Sequence, residues 1–415
     1  MRILHTSDWH LGRSLEQVGR IDEQREFIDF LVGTAEEQNI DLVLVAGDVY
    51  DTYNPSAAAE ELFYEAVERL NDKGRRAVVV IAGNHDNPER LCAASPLAYK
   101  SGIIILGYPG SDPGEFKTGS DIRIAASGAG WLELVIAGCG HHAVILTLPY
   151  PSESRLEEVL SKDADESILQ KAYSEKIGSL LSSRGQHFRD DTVNLIVAHL
   201  FMLGGKESES ERTLQVGGAL TVDPNVLPVN THYVAMGHLH RPQQMRSAAC
   251  PAFYSGSPLA YSFSEAEHSK AIYIVDAEPG REAQVTPVYL NCGKPLRRWT
   301  AEEGYGQALN WCEEGRDPNA WVDLEIATDR ILTAEEQKKL RSLHHGILNI
   351  RPRLLQDATE VQDFHNRENK RIDELFKDYY KSKMGSDISE ELMGAFIDIA
   401  NDQGGEVEDD ETEAS

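Results

Sequence analysis

Five short apolar runs in this chain end in polar clusters of one kind, and this placement constrains the fold more than any other feature. Residues 2–6 lead into "HTSDWHLG" with Asp8 and His10, and residues 41–46 into "AGDVYD" with Asp48 and Asp51. Residues 76–82 lead into "AGNHD" with Asn84, His85 and Asp86, residues 193–198 into His199, and residues 233–236 into "GHLH" with His238 and His240. Runs that are apolar without alternation read as strands buried on both faces, typical of parallel sheets. Open α/β sheets place their sites beyond the carboxyl ends of such strands. A fold that brings these five strand ends to one edge would gather all the clusters.

The segments between the runs indicate how. Helical spacing at residues 20–38 and 55–71 separates the first three strands, and this βαβαβ rhythm predicts a largely parallel sheet with helices on both faces. Residues 102–107 ("GIIILG") read as a fourth strand. Residues 121–150 give strands with no room for crossover helices, residues 154–183 a long helix, and residues 253–255, 271–275 and 283–290 further short strands. A second sheet packed on the first accommodates them, so the expected class is α/β, a two-layer β-sandwich flanked by helices. After Lys294-Pro295 the pattern changes to a compact α/β module, with helices at 305–314 and 333–343 and strands at 320–327 and 346–355. The expected domains are 1–294, the α/β module at 295–360, a helical segment at 361–402 and an acidic tail at 403–415. The helical segment is charged, with short amphipathic stretches that either dock on a partner or pack back on their own domain. The tail lacks apolar content and reads as disordered.

The residue types in the clusters point to metal. Asp8, His10, Asp48, Asn84, His199, His238 and His240 supply four imidazoles, two carboxylates and one amide oxygen. This mixture suits Mn²⁺, Fe²⁺ or Zn²⁺ and is too rich in nitrogen for a dedicated Mg²⁺ or Ca²⁺ cage. Seven donors exceed one ion's need and divide well between two, with Asp48 as the natural bridge. In extended chain, residues i and i+2 face one way, so Asp8 with His10, and His238 with His240, can aim at a common point. Glycines 47, 83 and 237 precede donor positions, where the backbone must approach closely. Asp86 is expected to cap the turn or the short helix near Pro88. His5, inside the first strand, reads as a satisfied core or supporting residue, and the remaining histidines fit no ligand spacing.

The ordered set of "MRILHTSDWHLG", "AGDVYDT", "AGNHD", "GHLHRPQ" and "YSGSPLAYSF" resembles the calcineurin-like metallophosphoesterases over residues 1–290. Within that superfamily the chain resembles the SbcD-type nuclease subunits, bacterial relatives of the recombination and repair nuclease that works with an SMC-like ATPase. The resemblance implies one metal on Asp8, His10, Asp48 and His240, and a second on Asp48, Asn84, His199 and His238. The expected cofactors are two divalent ions, Mn²⁺ foremost. His85 would not be a ligand but would face the scissile phosphate, as transition-state stabiliser or as acid to the leaving oxygen. Asp51 would either orient His85 by accepting its other ring proton or serve as a loop carboxylate capping the helix after Pro55.

The implied substrate is DNA, cut by an ATP-assisted 3′ to 5′ exonuclease on duplex ends and an endonuclease on single strands and hairpins. The implied assembly holds two copies of this chain and two of the ATPase, with residues 362–402 gripping the ATPase and the module flanking the DNA. Arg297, Arg298, Arg351 and Arg353 either reach phosphates or are ordinary solvated arginines. A formal charge of −28 argues against coating nucleic acid by simple charge neutralisation. Bound cations and the partner would then supply the attraction, with strong salt dependence. A small-molecule phosphodiesterase with the same metals, and a scaffold with a degenerate site, are the rival readings. No apolar stretch approaches the roughly 18 to 20 residues that span a bilayer. The N-terminus has no signal-peptide pattern, and the five scattered cysteines form no CxxC pair, so the expected compartment is the cytoplasm.

Overall fold

The computed structural model describes residues 1–117, 122–152, 154–156, 166–208, 210–211, 220–354, 376–377 and 392–393. Strands β1 (Arg2–Thr6), β2 (Leu42–Ala46), β3 (Ala77–Ile81) and β4 (Ile103–Leu106) run parallel, linked by α1 (Ile21–Glu37), α2 (Ala57–Asn71) and the short α3 (Pro88–Cys92). A second sheet contains β5 (Ile122–Gly128), β6 (Trp131–Ile136) and β7 (Ala143–Leu148). Helix α4 (Glu166–Gly185) then leads to β8 (Val193–His199), β9 (Tyr233–Gly237) and β10 (Ala252–Tyr254). Its order is β10-β9-β8-β7-β6-β5, with two-residue strands at both edges, and β7 to β10 are mutually parallel. β11 (Ala271–Asp276) and β12 (Gln284–Tyr289) return to the first sheet, giving the order β12-β11-β1-β2-β3-β4.

Every residue of β2 and β3 is buried, because each face meets a different layer. Leu4, Val43, Val45, Val78 and Val80 pack against Phe27, Leu31, Phe63 and Leu70 of α1 and α2. The alternate residues Ile3, Leu42, Leu44, Val79 and Ile81 meet Leu134, Ile145, Leu195, Val197 and Ala235 of the second sheet. That sheet's outer residues, among them Leu146, Ile196 and Met236, are covered by Tyr173, Ile177 and Leu181 of α4. The layering is therefore helix, sheet, sheet, helix, and the expectation of helices on both faces of the first sheet is corrected: its second face carries the other sheet. Continuous apolar runs report two covered faces but not whether helix or sheet covers them. The expected helix at 154–183 is described only as Glu166–Gly185, with a turn at 154–156.

The C-terminal module is a parallel three-stranded sheet of β13 (Leu296–Ala301), β14 (Trp321–Thr328) and β15 (Ile347–Leu354), covered on one side by α5 (Tyr305–Glu313) and α6 (Ala334–Leu343). Strand β13 is not expected from the sequence, because its burial pattern BeeBeB follows neither strand nor helix period. Glu23 of α1 latches the module to the sandwich. Its carboxylate accepts bonds from Arg20 Nε (2.8 Å), the Trp321 indole (2.9 Å) and the Lys294 amide (2.7 Å). On the module's open face three arginines are paired, Arg298 with Asp323 (3.9 Å), Arg351 with Asp323 (2.5 Å) and Arg353 with Glu325 (3.1 Å), while Arg297, on the other side of its strand, stands 3.6 Å from Asp317. The helical segment expected at 361–402 and the acidic tail lie outside the described residues apart from positions 376–377 and 392–393. Among the described residues no helix is long and apolar enough to cross a membrane.

Candidate metal centre

The register of the parallel strands aligns their carboxyl ends. Thr6 pairs with Val45, Ala46 with Ile81, and His199 lies opposite Gly237. The loops that follow turn sharply. Asp8 (φ 52°), His10 (φ 45°), Asp48 (φ 49°) and His238 (φ 106°) all have positive φ, a conformation that costs side-chain-bearing residues roughly 1–3 kcal/mol each and clusters at functional sites. Cross-loop bonds hold them there: Asp8 N to Gly47 O (2.9 Å), His10 N to Asp48 O (3.0 Å) and His238 N to Asp8 Oδ1 (2.9 Å). Two glycines make the approach sterically possible. A Cβ on Gly83 would lie 2.1 Å from Asp48 Oδ1, and one on Gly237 1.9 Å from Ala46 O.

These turns bring all seven expected donors together. Six are buried and Asn84 is half-buried. His10 Nε2 stands 3.0 Å from His240 Nε2 and 3.6 Å from Asp48 Oδ2. His199 Nε2 is 3.5 Å from Asp48 Oδ2 and 2.9 Å from Asn84 Oδ1, and His238 Nδ1 is 2.9 Å from the same oxygen. Donor atoms of Asp8, His10 and His240, and of Asp8, Asp48 and His199, form two groups whose members lie within 4.8 Å of one another. A third group of this kind joins His10, Asp51 and His85.

Hydrogen-bond accounting tests whether such a group fits a cation. His199 Nδ1 lies 2.8 Å from Ala46 O, which can only accept, so Nδ1 carries the proton and Nε2 presents a lone pair. That lone pair points at two oxygens. His10 Nδ1 is buried with no hydrogen-bond partner. Burial pushes the imidazoles of His10 and His199 below their usual range, and that of His238 down to about 3, so each of these rings keeps one nitrogen lone pair. Asp8 is held well above the usual carboxylate range, by burial first and by Asp48 second. Burial also pushes Asp48 up, but His199, His85 and His10 outweigh it and bring the group below its ordinary value. Imidazole nitrogens and adjacent buried carboxylates gathered within 4.8 Å of one another suit divalent cations of borderline softness.

His85 is placed differently. Its backbone N–H donates to Asp48 Oδ1 (2.9 Å), and its Nδ1 donates to the backbone carbonyl of Asp51 (2.7 Å). The Asp51 carboxylate does not make the contact expected of it. It stands 3.5 Å from His10 Nδ1 and 3.6 Å from Arg13 Nη1, because the loop turns its carbonyl, not its side chain, toward His85. Nor does the side chain cap the following helix, where Ser56 accepts from Ala59 N (3.3 Å). Asp86 holds the turn by accepting from Gly83, Val49 and Tyr50 amides (2.8, 3.1 and 2.9 Å). Asn87, not Asp86, caps α3. Burial, with Asp48 second, raises Asp86 to about 6.

Several supporting residues do not stand out in the sequence. Ser7 donates to Asp8 Oδ2 (2.5 Å) and contacts Ser255 (2.8 Å), and the Tyr261 hydroxyl donates to Trp9 O (2.6 Å). Ser255 and Tyr261 lie in "YSGSPLAYSF", whose density of hydroxyls was the available signal. Arg155 fixes the His85 loop through Gly83 O and Asp86 O (both 2.8 Å). His5 is a satisfied core residue, bonded to the Tyr233 hydroxyl (2.8 Å) and Met236 O (3.1 Å) and lowered to about 3 by burial.

Comparison with known proteins adds an independent line. Residues 1–242 match the calcineurin-like phosphoesterase family, and residues 292–384 match a family described as the type 5 capsule protein repressor C-terminal domain. The chain is 44% identical over 402 residues to the SbcD subunit of nuclease SbcCD from Bacillus subtilis (strain 168), covering 97% of this chain and 98% of that one. It is 29% identical over 393 residues to the protein of the same name from Staphylococcus epidermidis (strain ATCC 12228 / FDA PCI 1200), covering 94% and 95%.

Proposed function

We infer the function from one premise: this chain belongs to the calcineurin-like phosphoesterase family and, along nearly its whole length, to the SbcD nuclease subunits. It is a metal-dependent phosphoesterase and acts as the nuclease subunit of an SbcCD-type complex, with an SbcC-type ATPase as partner. The observation that carries the site is the convergence of imidazole nitrogens with carboxylate and amide oxygens at the ends of β1, β2, β3, β8 and β9.

Two divalent ions, Mn²⁺ foremost, would occupy it, one on Asp8, His10, Asp48 and His240, the other on Asp48, Asn84, His199 and His238. Bound there, such ions activate a water for attack and neutralise the phosphate oxygens. The residues do the rest. Asp48 lies between the two donor groups and, by accepting the His85 amide, ties the metal loop to the catalytic one. Donation from Nδ1 to the Asp51 carbonyl commits that side of the His85 ring and leaves Nε2 for the phosphate. A proton held at Nε2 can pass to the leaving alkoxide, which bound cations cannot supply.

The substrate is DNA, and we assign to the complex an ATP-assisted 3′ to 5′ exonuclease on duplex ends and an endonuclease on single strands and hairpins, in repair, recombination and replication. The assembly would hold two copies of each chain, with this chain dimerising. Residues 361–402 would meet the ATPase, in keeping with a cytoplasmic complex. The net charge of −28 leaves the attraction of DNA to the bound cations and the partner, and makes activity fall steeply with salt.

Mn²⁺-dependent cleavage of hairpin DNA against a small phosphodiester, with and without the ATPase, tests this reading. Hairpin cleavage enhanced by the ATPase is expected. Turnover of the small diester alone would reassign the substrate, and inertness without bound metal would make the fold a scaffold.

A further inference from the structure

Where backbone carbonyls of Ala46 and Asp51 meet the outer nitrogens of His199 and His85, a side chain from outside the sequence motifs meets that of His240. Ser210 Oγ contacts His240 Nδ1 directly, and Ser210 is only 6% exposed. The neighbouring Glu211 accepts the backbone N–H of His240 through Oε1 (2.7 Å). Its other oxygen is fixed by the amide and hydroxyl of Ser208 (2.5 and 2.8 Å). Arg13, three residues after His10, donates Nη2 to the Ser210 carbonyl (2.7 Å). The segment is thus tied to both imidazole-bearing loops of one donor group.

We propose that Ser210 and Glu211 are positioning residues for His240, and that they set the affinity of the metal held by Asp8, His10, Asp48 and His240 without touching the other. The inference rests on the two-metal reading above. For His240 to offer Nε2 toward His10, its proton must sit on Nδ1 and be donated to an acceptor there. Ser210 Oγ is that acceptor, while Glu211 fixes the backbone from which the ring projects. Another oxygen near that nitrogen, Glu265 Oε1, is 3.9 Å away, too far for a hydrogen bond unless the ring moves. Without Ser210 the ring is free to carry its proton on Nε2, where it cannot bind a cation. Residues that orient a metal-bound imidazole in this way typically contribute about 10- to 100-fold to metal affinity. His199 of the second donor group has no such dependence, since Ala46 O belongs to β2 and cannot be removed by a side-chain change.

Mn²⁺ titration of the full chain, followed by electron paramagnetic resonance of the free ion, tests this. Wild type is expected to bind two ions per chain. Ser210→Ala and Glu211→Ala are each expected to retain one ion at wild-type affinity and to weaken the other about 10- to 100-fold. In a His240→Ala background, Ser210→Ala should change nothing further, because the ring it positions is gone. A chain that had unfolded would lose both ions, so retention of one separates positioning from general damage. Two ions bound unchanged in Ser210→Ala, or both lost together, contradicts the assignment. Wild type binding no Mn²⁺ would overturn the metal centre itself, and the assignment with it.

Discussion

The metal centre and the open face of the C-terminal module both concentrate charged side chains, and they obey opposite rules. On the module, Arg298 and Arg351 flank Asp323, and Arg353 reaches Glu325. Cation meets anion and the surface completes itself. At the sandwich edge, His199 Nε2 faces Asn84 Oδ1 and Asp48, His10 Nε2 faces His240 Nε2, and Asp8 lies beside Asp48. Metal-binding atoms crowd on one another instead of on cationic side chains, in a site where burial makes unmatched polar groups costly. A bound cation would match them. The contrast separates scaffold from function better than charge content does, since the arginines that the sequence leaves open as either phosphate contacts or ordinary solvated side chains are paired within the protein.

The largest expected effect comes from removing the residue shared by both halves of the unmatched site. Asp48→Asn should lose both Mn²⁺ ions in a binding titration and reduce cleavage by more than about a thousandfold. Full occupancy in that variant would show that the two donor groups are independent of Asp48. A smaller effect is expected from Asp51→Asn. Because the Asp51 carbonyl, not its carboxylate, holds His85, the pH profile of cleavage should keep its shape. A profile displaced along the pH axis would restore the carboxylate as the orienting group. The smallest effect belongs to the matched face. Arg353→Ala removes pairs with Glu302 and Glu325 whose side chains are all open to solvent and that contribute less than about 1 kcal/mol, so thermal unfolding should move by only a few degrees and hairpin cleavage should stay within about twofold. A large loss of cleavage there would mean that these arginines exchange their acidic partners for phosphates.

Much of this was legible in the sequence because parallel strands buried on both faces announce themselves. The runs before Asp8, Asp48, Asn84, His199 and His238 marked five strand ends, and register alone aligned them. Other features were hidden for physical reasons. Strand β13 carries Arg297 and Arg298 in succession on an edge and lacks clean alternation. The choice of carbonyl over carboxylate at Asp51 is a matter of loop dihedral angles, which composition does not encode. Ser210 and Glu211 sit in "KESESER", a stretch whose sequence reads as a solvated acidic loop; only the fold carries it back to His240.

The proposed division of labour in "AGNHD" gives Asn84 to the metals and His85 to the phosphate. The grouping of His10, Asp51 and His85 within 4.8 Å offers the competing arrangement, in which His85 is itself a ligand. Measuring Mn²⁺ stoichiometry and hairpin cleavage together in His85→Ala decides between them. Two ions bound as in wild type are expected, with cleavage reduced by about 10²- to 10⁴-fold. Loss of one ion from His85→Ala would contradict that division and place His85 among the metal ligands.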